Sequence, residues 1–593
     1  MITMIICFIL TFYSYSTWKH QETLLFELRY FDPESYAMEV YQFYKDESKM
    51  DGEFILLSGI ETINGIKMPK KRDWYYNKNE QYLDALDAMV AQYPHLITTK
   101  QNIHTFTTEG TPDNSTTPPI GGNGIKWVKI SDNPNTAEAE PQILYTSIHH
   151  AREPASLSQL LFYMWYLLEN YESDPEVKNI VDHTELYFVP VVNPDGYLYN
   201  QKTDPNGGGF WRKNRHNSSG VDNNRNYNYF INGNPGNGSW GGPGSSSNPG
   251  SDTYHGTGPF SEVENQAIKW FVEQHNFIIA LNNHTFGELL YFPFSYANVP
   301  TPEESLFIDI SSELVSQNGY TNLRDFPFSG DSDDFMYGTV GTHSKIYAFT
   351  PEVGTSFWPP SNQIISICKG MMYQNLTAAK MVNNYADVID TSPQITGGNP
   401  QTQANFSIKR LGIEGSGNFT VSLVPVSSNI SQVGNPVTFS NLDLLEESQG
   451  SIPFSIASGT ASGDAITYQL RLDNGTAIFP FEITKIYGES IAILEDTGDS
   501  TTQNFTNSGW GTTSQTFVSP SSSITDSPSG NYTSNTQKSI ETTTPIDLTN
   551  AIAANVSFFA RWEIENDWDY VQFQISTDGG NTWIPQCSAS TNS

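Results

Sequence analysis

Two residue types that bind metal ions lie three positions apart in the segment IHHAREP, at His150 and Glu153. Imidazole nitrogen and carboxylate oxygen are both ligands that zinc accepts. An apolar run, ILYTSI, precedes the pair, and a long pattern of helical spacing follows it. The pair therefore predicts part of a zinc site, although a surface histidine beside a solvated glutamate is the alternative if no further ligand joins them.

Two later segments could complete such a site, because each places a polar side chain after an apolar run. The segment NFIIALNNHT contains His284, a candidate third ligand that would leave the fourth zinc position to water. The segment FTPEVG contains Glu352, a candidate base toward that water. A histidine bonded to backbone and an exposed glutamate are the alternatives at these two positions.

Arginine is concentrated in one stretch of residues 210–229, FWRKNRHNSSGVDNNRNYNY. It contains Arg212, Arg215 and Arg225, and guanidinium groups bind carboxylates through two parallel hydrogen bonds. A site that recognises a free C-terminal carboxylate would need such a group. A solvated basic loop is the alternative, because composition alone does not separate the two.

The candidate residues must be held together by the elements around them, and between residues 74 and 389 helical and strand patterns alternate. Apolar strands are predicted at 141–149, 186–193, 277–282 and 346–349, and helices at 82–93, 155–171, 262–274 and 361–385. Apolar strands between helices indicate an α/β domain whose sheet is covered on both faces. The strand ends of such a domain line its ligand crevice.

Beyond this region the helical pattern stops, and two β-sandwich domains are predicted. A linker rich in Pro, Gly and Thr is expected over 390–403, a β-sandwich over 404–486 and a second β-rich domain over 487–593. The chain stops where another strand is expected, which suggests a truncated C-terminus. The segment EIENDWD could bind calcium, with a solvated acidic loop as the alternative.

The N-terminus reads MITMIICFILTFYSYS, and its apolar run is too short to span a bilayer. We predict a signal peptide over residues 1–16, with a misassigned start or a buried strand as alternatives. Residues 17–73 are predicted to be an N-terminal extension or a remnant pro-segment. Low charge and few cysteines suit a secreted, extracellular protein without a membrane span.

Charge and cysteine content exclude several classes of function. Lys and Arg number 30 against 64 Asp and Glu, and this net charge of −34 is a poor match for nucleic acid or an anionic membrane surface. The three cysteines, Cys7, Cys368 and Cys587, lie in separate regions and form no CxxC. Neither a disulfide framework nor a thiolate zinc site is predicted, so a metal site must use histidine and carboxylates.

Eight short segments occur in an order that resembles one enzyme family. They are IHHARE, NPDGY, FWRKNR, GVDNNRN, GPFSEVE, NHT, SGDSDDFMYG and FTPEVG. Together they resemble the zinc metallocarboxypeptidases of the carboxypeptidase A/B type, in the secreted multidomain form of bacteria, over roughly 75–387. The resemblance implies a catalytic domain over 74–389 with a mixed central sheet flanked by helices.

The resemblance also implies which residues carry the reaction. One Zn²⁺ would be held by His150, Glu153 and His284, and Glu352 would be the general base toward zinc-activated water. Arg212 would polarise the scissile carbonyl and stabilise the oxyanion. Arg215 is given no role.

Further positions match residues that bind the substrate. Asn224 and Arg225 would grip the C-terminal carboxylate of a peptide or protein, and Arg152 would line the outer subsites. Asp222 would hydrogen-bond the first zinc-binding histidine. The implied activity is removal of the C-terminal residue.

One position departs from the family pattern and another suggests a substrate preference. The family's mobile capping tyrosine is replaced by Phe326, so no catalytic tyrosine is assigned, although Tyr320 or another loop tyrosine could substitute. Asp333 matches the specificity position, and Asp334 matches an acid found in both subtypes. An acid at 333 implies preference for C-terminal Lys and Arg, with neutral residues also accepted; bonding to loop backbone or to a structural cation is the alternative.

Two other functions stay open on the sequence. The same fold could hydrolyse cell-wall peptides or unusual amide bonds. The chain could also be an inactive carboxypeptidase-like binding protein, but the matched ligands and Glu352 are all present. The β domains are expected to bind carbohydrate, cell surface or protein, or to stabilise the enzyme.

Overall fold

The structure is a computed structural model of the 593-residue chain. It describes residues 5–14, 23–30, 62–63, 66–67, 79–324, 327–396, 401–489, 491–518, 521–528, 530, 536–548, 554–561 and 570–585. Phe326, Cys587, the acidic segment EIENDWD and most of the predicted extension over 17–73 lie outside the described residues.

Helices occur between residues 79 and 381 of the described chain. The α-helices are α1 (Asn79–Gln92), α2 (Pro154–Asn170), α3 (Pro175–Asp182), α4 (Pro194–Thr203), α5 (Val263–Glu273), α6 (Glu304–Val315), α7 (Ser332–Gly338), α8 (Ile364–Gly370) and α9 (Met372–Met381). Short 3₁₀ turns are found at Asn223–Arg225, Ile231–Gly233 and Ser361–Gln363. The helix predicted over 361–385 is therefore divided into three pieces.

One eight-stranded sheet forms the centre of this region. Its strands are β1 (Gln101–Thr107), β2 (Gly124–Ile130), β3 (Gln142–Ser147), β4 (Glu185–Val189), β5 (Phe277–Asn283), β6 (Leu289–Phe292), β7 (Thr321–Arg324) and β8 (Tyr347–Glu352). The spatial order is β7-β6-β8-β5-β3-β4-β2-β1. Strands β4, β3, β5 and β8 run parallel, whereas β2 and β6 pair antiparallel to their neighbours β4 and β8. The predicted mixed sheet flanked by helices is confirmed.

Both faces of the central strands are buried, which explains their unbroken apolar sequences. In β3, Ile143 and Tyr145 pack in one core with α2, while Leu144 packs in a second core with Phe271 of α5. Successive strand residues point to opposite faces of a sheet, so each face needs its own covering helix. Complete burial of one such side chain contributes about 1.5–3 kcal/mol.

A β-sandwich follows α9 directly. Its strands are β9 (Ala386–Asp390), β10 (Ile395–Thr396), β11 (Gln401–Arg410), β12 (Phe419–Pro425), β13 (Ile430–Val433), β14 (Val437–Phe439), β15 (Glu447–Ile456), β16 (Ala465–Asp473) and β17 (Ile478–Tyr487). One sheet has the order β9-β11-β15-β13 and the other β10-β17-β16-β12-β14. The linker predicted over 390–403 overlaps β10 and β11, so strands of the sandwich occupy part of it.

The sandwich and the α/β domain share one continuous apolar core. The backbone N–H of Ile413 donates to Met381 at 2.7 Å, and Lys409 pairs with Glu313 at 2.6 Å. Asn383 donates to the hydroxyl of Thr184, which directly precedes β4. The junction therefore lies near the amino ends of the parallel strands.

The remaining described strands form two further sheets. They are β18 (Ile491–Asp496), β19 (Phe505–Asn507), β20 (Gly511–Thr513), β21 (Ser523–Thr525), β22 (Thr536–Thr542), β23 (Ile546–Asp547), β24 (Ala554–Arg561), β25 (Tyr570–Ser576) and β26 (Ile584–Pro585). The N-terminal strand Ile5–Ser14 pairs with β22, β23 and β25, and Thr23–Tyr30 pairs with β18, β21 and β24. Thr62–Ile63 and Ile66–Lys67 form a separate two-stranded ladder.

The N-terminal apolar run is thus a strand in this structure. The signal peptide over 1–16 stays a prediction, because pairing of Ile5–Ser14 with C-terminal strands does not test export. Among the described residues, no helix has both the length and the apolar character needed to cross a membrane.

Candidate active site

Three predicted site residues meet at the carboxyl ends of adjacent parallel strands. His150 follows β3, His284 follows β5, and Glu352 is the last residue of β8. A further β-bridge joins His284 to Glu352 beyond the regular pairing. Because β3, β5 and β8 are neighbours, the sheet itself brings together residues that are between 68 (His284 and Glu352) and 202 (His150 and Glu352) positions apart in sequence.

The predicted zinc ligands converge and are buried. Nδ1 of His150 lies 2.9 Å from Oε1 of Glu153, and Nδ1 of His284 lies 2.9 Å from Oε2 of the same carboxylate. The donor atoms of the three residues are all within 4.8 Å of one another. Two imidazole nitrogens and a carboxylate that converge in this way, away from bulk water, fit one zinc ion.

Asp222 orients this cluster from behind. Nε2 of His150 donates to Oδ1 of Asp222 at 3.0 Å, which leaves Nδ1 free to present its lone pair to a metal. Oδ2 of Asp222 accepts from Nε of Arg212 at 2.9 Å. One buried carboxylate therefore fixes both the first histidine and the predicted oxyanion arginine.

Neighbouring basic side chains lower the pKa values of the carboxylates in this cluster. Burial alone would raise the pKa of Glu153, but its electrostatic interactions and hydrogen bonds with His150 and His284 outweigh burial and hold the pKa well below its usual range. The pKa of Asp222 is also well below its usual range, because Arg212 and His150 outweigh its burial. Burial lowers the pKa of His284 to about 4, against the opposing charge of Glu153.

Glu352 stands beside the cluster without belonging to it. Burial and the charge of Glu153 raise its pKa well above the ordinary value, and Arg212 and Arg225 oppose the rise. Its Oε2 is buried and has no hydrogen-bond partner among the described residues. The carboxyl group is therefore suited to hold and transfer a proton.

The predicted carboxylate clamp is held by a 3₁₀ turn. The side chain of Asp222 accepts from the backbone N–H of Asn224 at 2.9 Å and so caps Asn223–Arg225. Nε of Arg225 donates to the carbonyl of Gly244 at 3.0 Å. The Arg225 guanidinium also lies 4.7 Å from the ring centroid of Phe328. These contacts hold Arg225 in one orientation inside the protein.

Asn224 connects the clamp to both other parts of the site. Its Nδ2 lies 3.4 Å from Nε2 of His284, and its Oδ1 accepts from the backbone N–H of Ser332 at 3.0 Å. Ser332 begins α7, the helix that carries Asp333. The zinc ligands, the clamp and the predicted specificity helix therefore form one connected structure.

The other two arginines lie at the edge of this site. Arg152 donates to Asp252 at 3.3 Å and lies over the ring of Phe357 at 4.3 Å, at the rim. The guanidinium of Arg215 lies 3.7 Å from the ring centroid of Tyr199 and 4.3 Å from that of Trp211. Arg215 thus packs against the segment that holds Arg212, which agrees with its having no assigned chemical role.

Helix α7 carries a second group of buried acids. Oδ1 of Asp333 accepts from Nδ2 of Asn282 at 2.8 Å, and its Oδ2 has no hydrogen-bond partner in the described part of the chain. Asp334 accepts from the backbone N–H groups of Ser295 and Tyr296 at 3.0 and 2.9 Å. Asp331 caps α7 by accepting from the backbone N–H of Asp334 at 3.2 Å.

Burial is the largest influence on the pKa values of these three acids. Burial raises the pKa of Asp331 to about 6, with Arg225 opposing the rise. Burial and the nearby Asp331 raise the pKa values of Asp333 and Asp334 well above the ordinary range. Burial therefore disfavours the ionised form of each α7 acid, and a cation that entered beside them would oppose this effect.

Tyr320 does not have the freedom of a mobile cap. Its hydroxyl accepts from the backbone N–H of Gly354 at 3.0 Å, and burial raises its pKa. Phe326, the residue at the matching position, lies outside the described residues. The absence of a catalytic tyrosine at this position stays a prediction.

Sequence reasoning missed His149, the neighbour of the first ligand. Its ring stacks on His284, with centroids 5.3 Å apart and planes at 21°, and its Nε2 lies 3.0 Å from the hydroxyl of Tyr227. The doubled histidine in IHHARE was the available signal. It was overlooked because only His150 has the spacing to Glu153.

Comparisons with known proteins point to the same family. A family model described as zinc carboxypeptidase matches residues 82–374, and one of a family of unknown function matches 19–91. Carboxypeptidase A4 of Mus musculus is 31% identical over 245 residues, covering 38% of this chain and 54% of that protein. Carboxypeptidase A1 of Mus musculus is 29% identical over 308 residues, covering 49% and 66%.

The chain thus spans about half to two thirds of the length of these curated relatives. Among solved structures, thrombin activatable fibrinolysis inhibitor is similar with a TM-score of 0.42 and 24% identity, covering 51% of this chain and 73% of that one. The family match includes the ligand positions His150, Glu153 and His284. Over residues 82–374, the chain belongs to the zinc carboxypeptidases of the A/B type.

Proposed function

We propose that this chain is a zinc-dependent metallocarboxypeptidase that removes the C-terminal residue from peptides and proteins. The observation that carries the proposal is the buried convergence of His150, Glu153 and His284 beside Glu352. Arg225 adds a buried group that can pair with a carboxylate. A bound zinc ion would supply the Lewis acidity that polarises a carbonyl and makes water nucleophilic near neutral pH.

Glu352 is proposed to carry the proton through the reaction. It accepts a proton from the attacking water as the water oxygen bonds to the scissile carbonyl carbon. It then gives that proton to the amine nitrogen as the carbon–nitrogen bond breaks, which releases the terminal amino acid. The burial that raises the pKa of Glu352 favours its holding the proton between the two steps.

Arg212 is proposed to stabilise the negative charge that develops on the carbonyl oxygen. Its Nε is held by Asp222, so its remaining donors are oriented before the substrate binds. Preoriented donors of this kind lower a barrier by roughly 3–4 kcal/mol each. Burial alone would lower the pKa of Arg212 and disfavour its positive charge, but the negative charge of Asp222 outweighs burial and raises that pKa.

Asn224 and Arg225 are proposed to bind the terminal carboxylate, and Arg152 to contact residues upstream of the cleaved bond. A peptide that lacks a free carboxylate could not form the charge-assisted hydrogen bonds proposed with Arg225, so it should bind poorly. This requirement makes the proposed enzyme an exopeptidase. It also argues against a hydrolase of amide bonds in the interior of a chain.

Asp333 is proposed to select basic C-terminal residues. Its Oδ2 lacks a hydrogen-bond partner among the described residues, and its pKa is raised because it is buried near Asp331. A Lys or Arg side chain would supply the missing positive charge. A protonated Asp333 would still accept a neutral side chain, so preference rather than exclusivity is expected.

Location outside the cell and partner binding by the β domains are proposed from composition. A signal peptide over residues 1–16 would be removed on export, whereas an uncleaved chain would keep Ile5–Ser14 as a strand paired with C-terminal strands. Sequencing the N-terminus of protein recovered from the growth medium distinguishes the two. A start beyond residue 16 would support the signal peptide, and a start at Met1 would exclude it.

The test is a set of peptides that differ only in the last residue, incubated with and without a chelator. Release of the last residue is expected, it should stop on chelation, and added Zn²⁺ should restore it. The matched control is the same peptide with an amidated C-terminus, which should not be cleaved. If the zinc-loaded protein releases nothing from any free C-terminus, the chain is a binding protein.

A further inference from the structure

The surroundings of Asp333 include an aromatic side chain that the sequence motifs did not single out. Tyr291 lies on β6 directly opposite Thr350 of β8, and Leu289 lies opposite Glu352. The intervening Leu290 is completely buried in the core, whereas Tyr291 is half-buried. Since strand residues alternate between faces, Tyr291 is on the sheet face that carries Glu352.

Thr350 links this face to the proposed specificity acid. Its side chain is within hydrogen-bonding reach of the Asp333 carboxyl. Asn282, the penultimate residue of β5, donates to the same carboxyl at 2.8 Å. Tyr291 and Asp333 are therefore both neighbours of Thr350, at the carboxyl end of the sheet.

Phe328 continues the aromatic surface from Tyr291 to the carboxylate clamp. The ring centroids of Tyr291 and Phe328 are 6.3 Å apart at an interplanar angle of 61°. The guanidinium of Arg225 lies 4.7 Å from the centroid of Phe328. The Arg225 guanidinium is thus already packed on the ring of Phe328. The neighbouring ring of Tyr291 lies opposite Thr350, which contacts Asp333.

We propose that Tyr291 and Phe328 make this pocket selective for a planar guanidinium, so that C-terminal Arg is preferred over C-terminal Lys. The inference rests on the proposed function and deepens it. A guanidinium can stack on an aromatic face while it makes two parallel hydrogen bonds to the Asp333 carboxylate. An ammonium has no flat face and is more strongly hydrated, so it loses more on entering an aromatic pocket.

The test compares kcat/KM for blocked dipeptides that end in Arg, Lys, citrulline or Leu. Citrulline has nearly the shape of arginine but no charge, so it separates shape from charge. We expect about five- to tenfold preference for Arg over Lys, the size of one cation–π contact. Citrulline should be cleaved less well than Arg, because it cannot pair with Asp333.

Variants assign the preference to the rings. Tyr291→Leu should lower the Arg-to-Lys ratio, mainly through a higher KM for Arg. Phe328→Leu should lower the ratio too, but it should also raise KM for all four substrates, because Phe328 packs on Arg225 of the carboxylate clamp. The matched control Tyr291→Phe keeps the ring and should keep the ratio, which also covers the case in which Tyr291→Leu fails to fold.

Two results overturn the inference while leaving the proposed function intact. One is an Arg-to-Lys ratio near or below one in an enzyme that cleaves both substrates. The other is a Tyr291→Phe variant that loses the preference, since the hydroxyl rather than the ring would then select. Absence of cleavage of all four substrates would instead contradict the proposed function.

Discussion

The two groups of buried acids in the α/β domain have pKa values that are shifted in opposite directions. Glu153 and Asp222 stay ionised, because His150, His284 and Arg212 lie against them. The acids of α7 have raised pKa values, because they are buried and lie beside one another, with backbone amides and Asn282 as hydrogen-bond donors. Similar burial therefore accompanies opposite pKa shifts, depending on which groups lie beside the carboxyl.

The difference suggests two kinds of function for a buried carboxylate. The zinc cluster has its counter-charges built into the fold, so it is ready for a metal before any substrate arrives. At the α7 acids burial outweighs the opposing charge of Arg225, and an uncompensated buried charge is costly. A basic side chain from the substrate would supply a further compensating charge, which ties the charge state of these acids to the identity of the ligand.

The largest expected effect separates proton transfer from metal binding. Glu352→Gln removes the proposed base but none of the three ligands, so kcat should fall by about 10³-fold or more while bound zinc is retained. Activity on a blocked dipeptide and zinc content by mass spectrometry measure the two effects. Normal turnover in this variant would rule out Glu352 as the base.

The variant to compare with Glu352→Gln changes a zinc ligand instead of the proposed base. His150→Gln should lose both zinc and activity, because one ligand and its hydrogen bond to Asp222 disappear together. Retention of stoichiometric zinc in this variant would contradict the ligand assignment.

The second expected effect concerns the α7 group. Asp333→Asn keeps the side-chain shape but removes the charge, so kcat/KM for C-terminal Arg and Lys should fall by about 10–100-fold, as expected for a charge-assisted hydrogen bond. The value for C-terminal Leu should change by less than about threefold. Equal losses on basic and neutral substrates, or an initial preference for acidic ends, would remove Asp333 from the specificity assignment.

The third expected effect is on stability and its pH dependence. A carboxyl whose pKa rises on folding favours the folded state below its unfolded value, and this contribution is lost as pH rises through the folded pKa. For Asp331 the folded pKa is about 6, so stability should fall between about pH 4 and 7. Asp331→Asn retains the acceptor that caps α7 and should be more stable than the wild type at pH 7.5 by roughly 1–3 kcal/mol.

Urea unfolding at pH 4.5, 6 and 7.5 measures this effect. The advantage of Asp331→Asn should shrink toward pH 4.5, because protonation of the wild-type carboxyl in the folded state removes most of the cost of burying its charge. A constant difference between the two proteins at all three pH values would show that Asp331 does not titrate in this range.

The smallest expected effect is at the exposed rim. The side chain of Asp252, which pairs with Arg152, is 66% exposed. Exposed ion pairs contribute about 0.2–1 kcal/mol, so Asp252→Ala should change kcat/KM by less than about fivefold and the change should shrink at high salt. A loss of kcat/KM as large as that of Asp333→Asn would show that the difference in burial between Asp252 and Asp333 does not determine how much each contributes.

The sequence predicted the parts of the site that depend on local spacing and on strand ends. His150 and Glu153 are three residues apart, and His284 and Glu352 follow apolar strands, so a parallel sheet alone brings them together. The order of the family motifs supplied Arg212, Asn224 and Arg225. Their hydrogen-bond partners needed the structure.

Two features could not be predicted, because they depend on pairing between distant segments. The proximity of Tyr291 to Asp333 follows from the register of β6 with β8, which no local pattern encodes. The Pro- and Gly-rich stretch after residue 390 was interpreted as a linker, yet such residues serve equally for turns between the strands of a sandwich. Pro and Gly indicate where the chain turns, but they do not show whether the segments before and after the turn pack in one core or in two.

The shared core at the junction of α9 and the sandwich has a consequence for how the protein can be divided. We expect residues 79–487 to fold as one unit and to be exchanged between proteins as one unit, because the α/β domain and the sandwich share an apolar core. The site lies at one end of the central sheet and the sandwich packs near the other. Recombination or engineered fusion that joins foreign sequence after Tyr487 leaves both intact. A joint placed at residue 390 would instead expose apolar surface and produce an aggregating fragment.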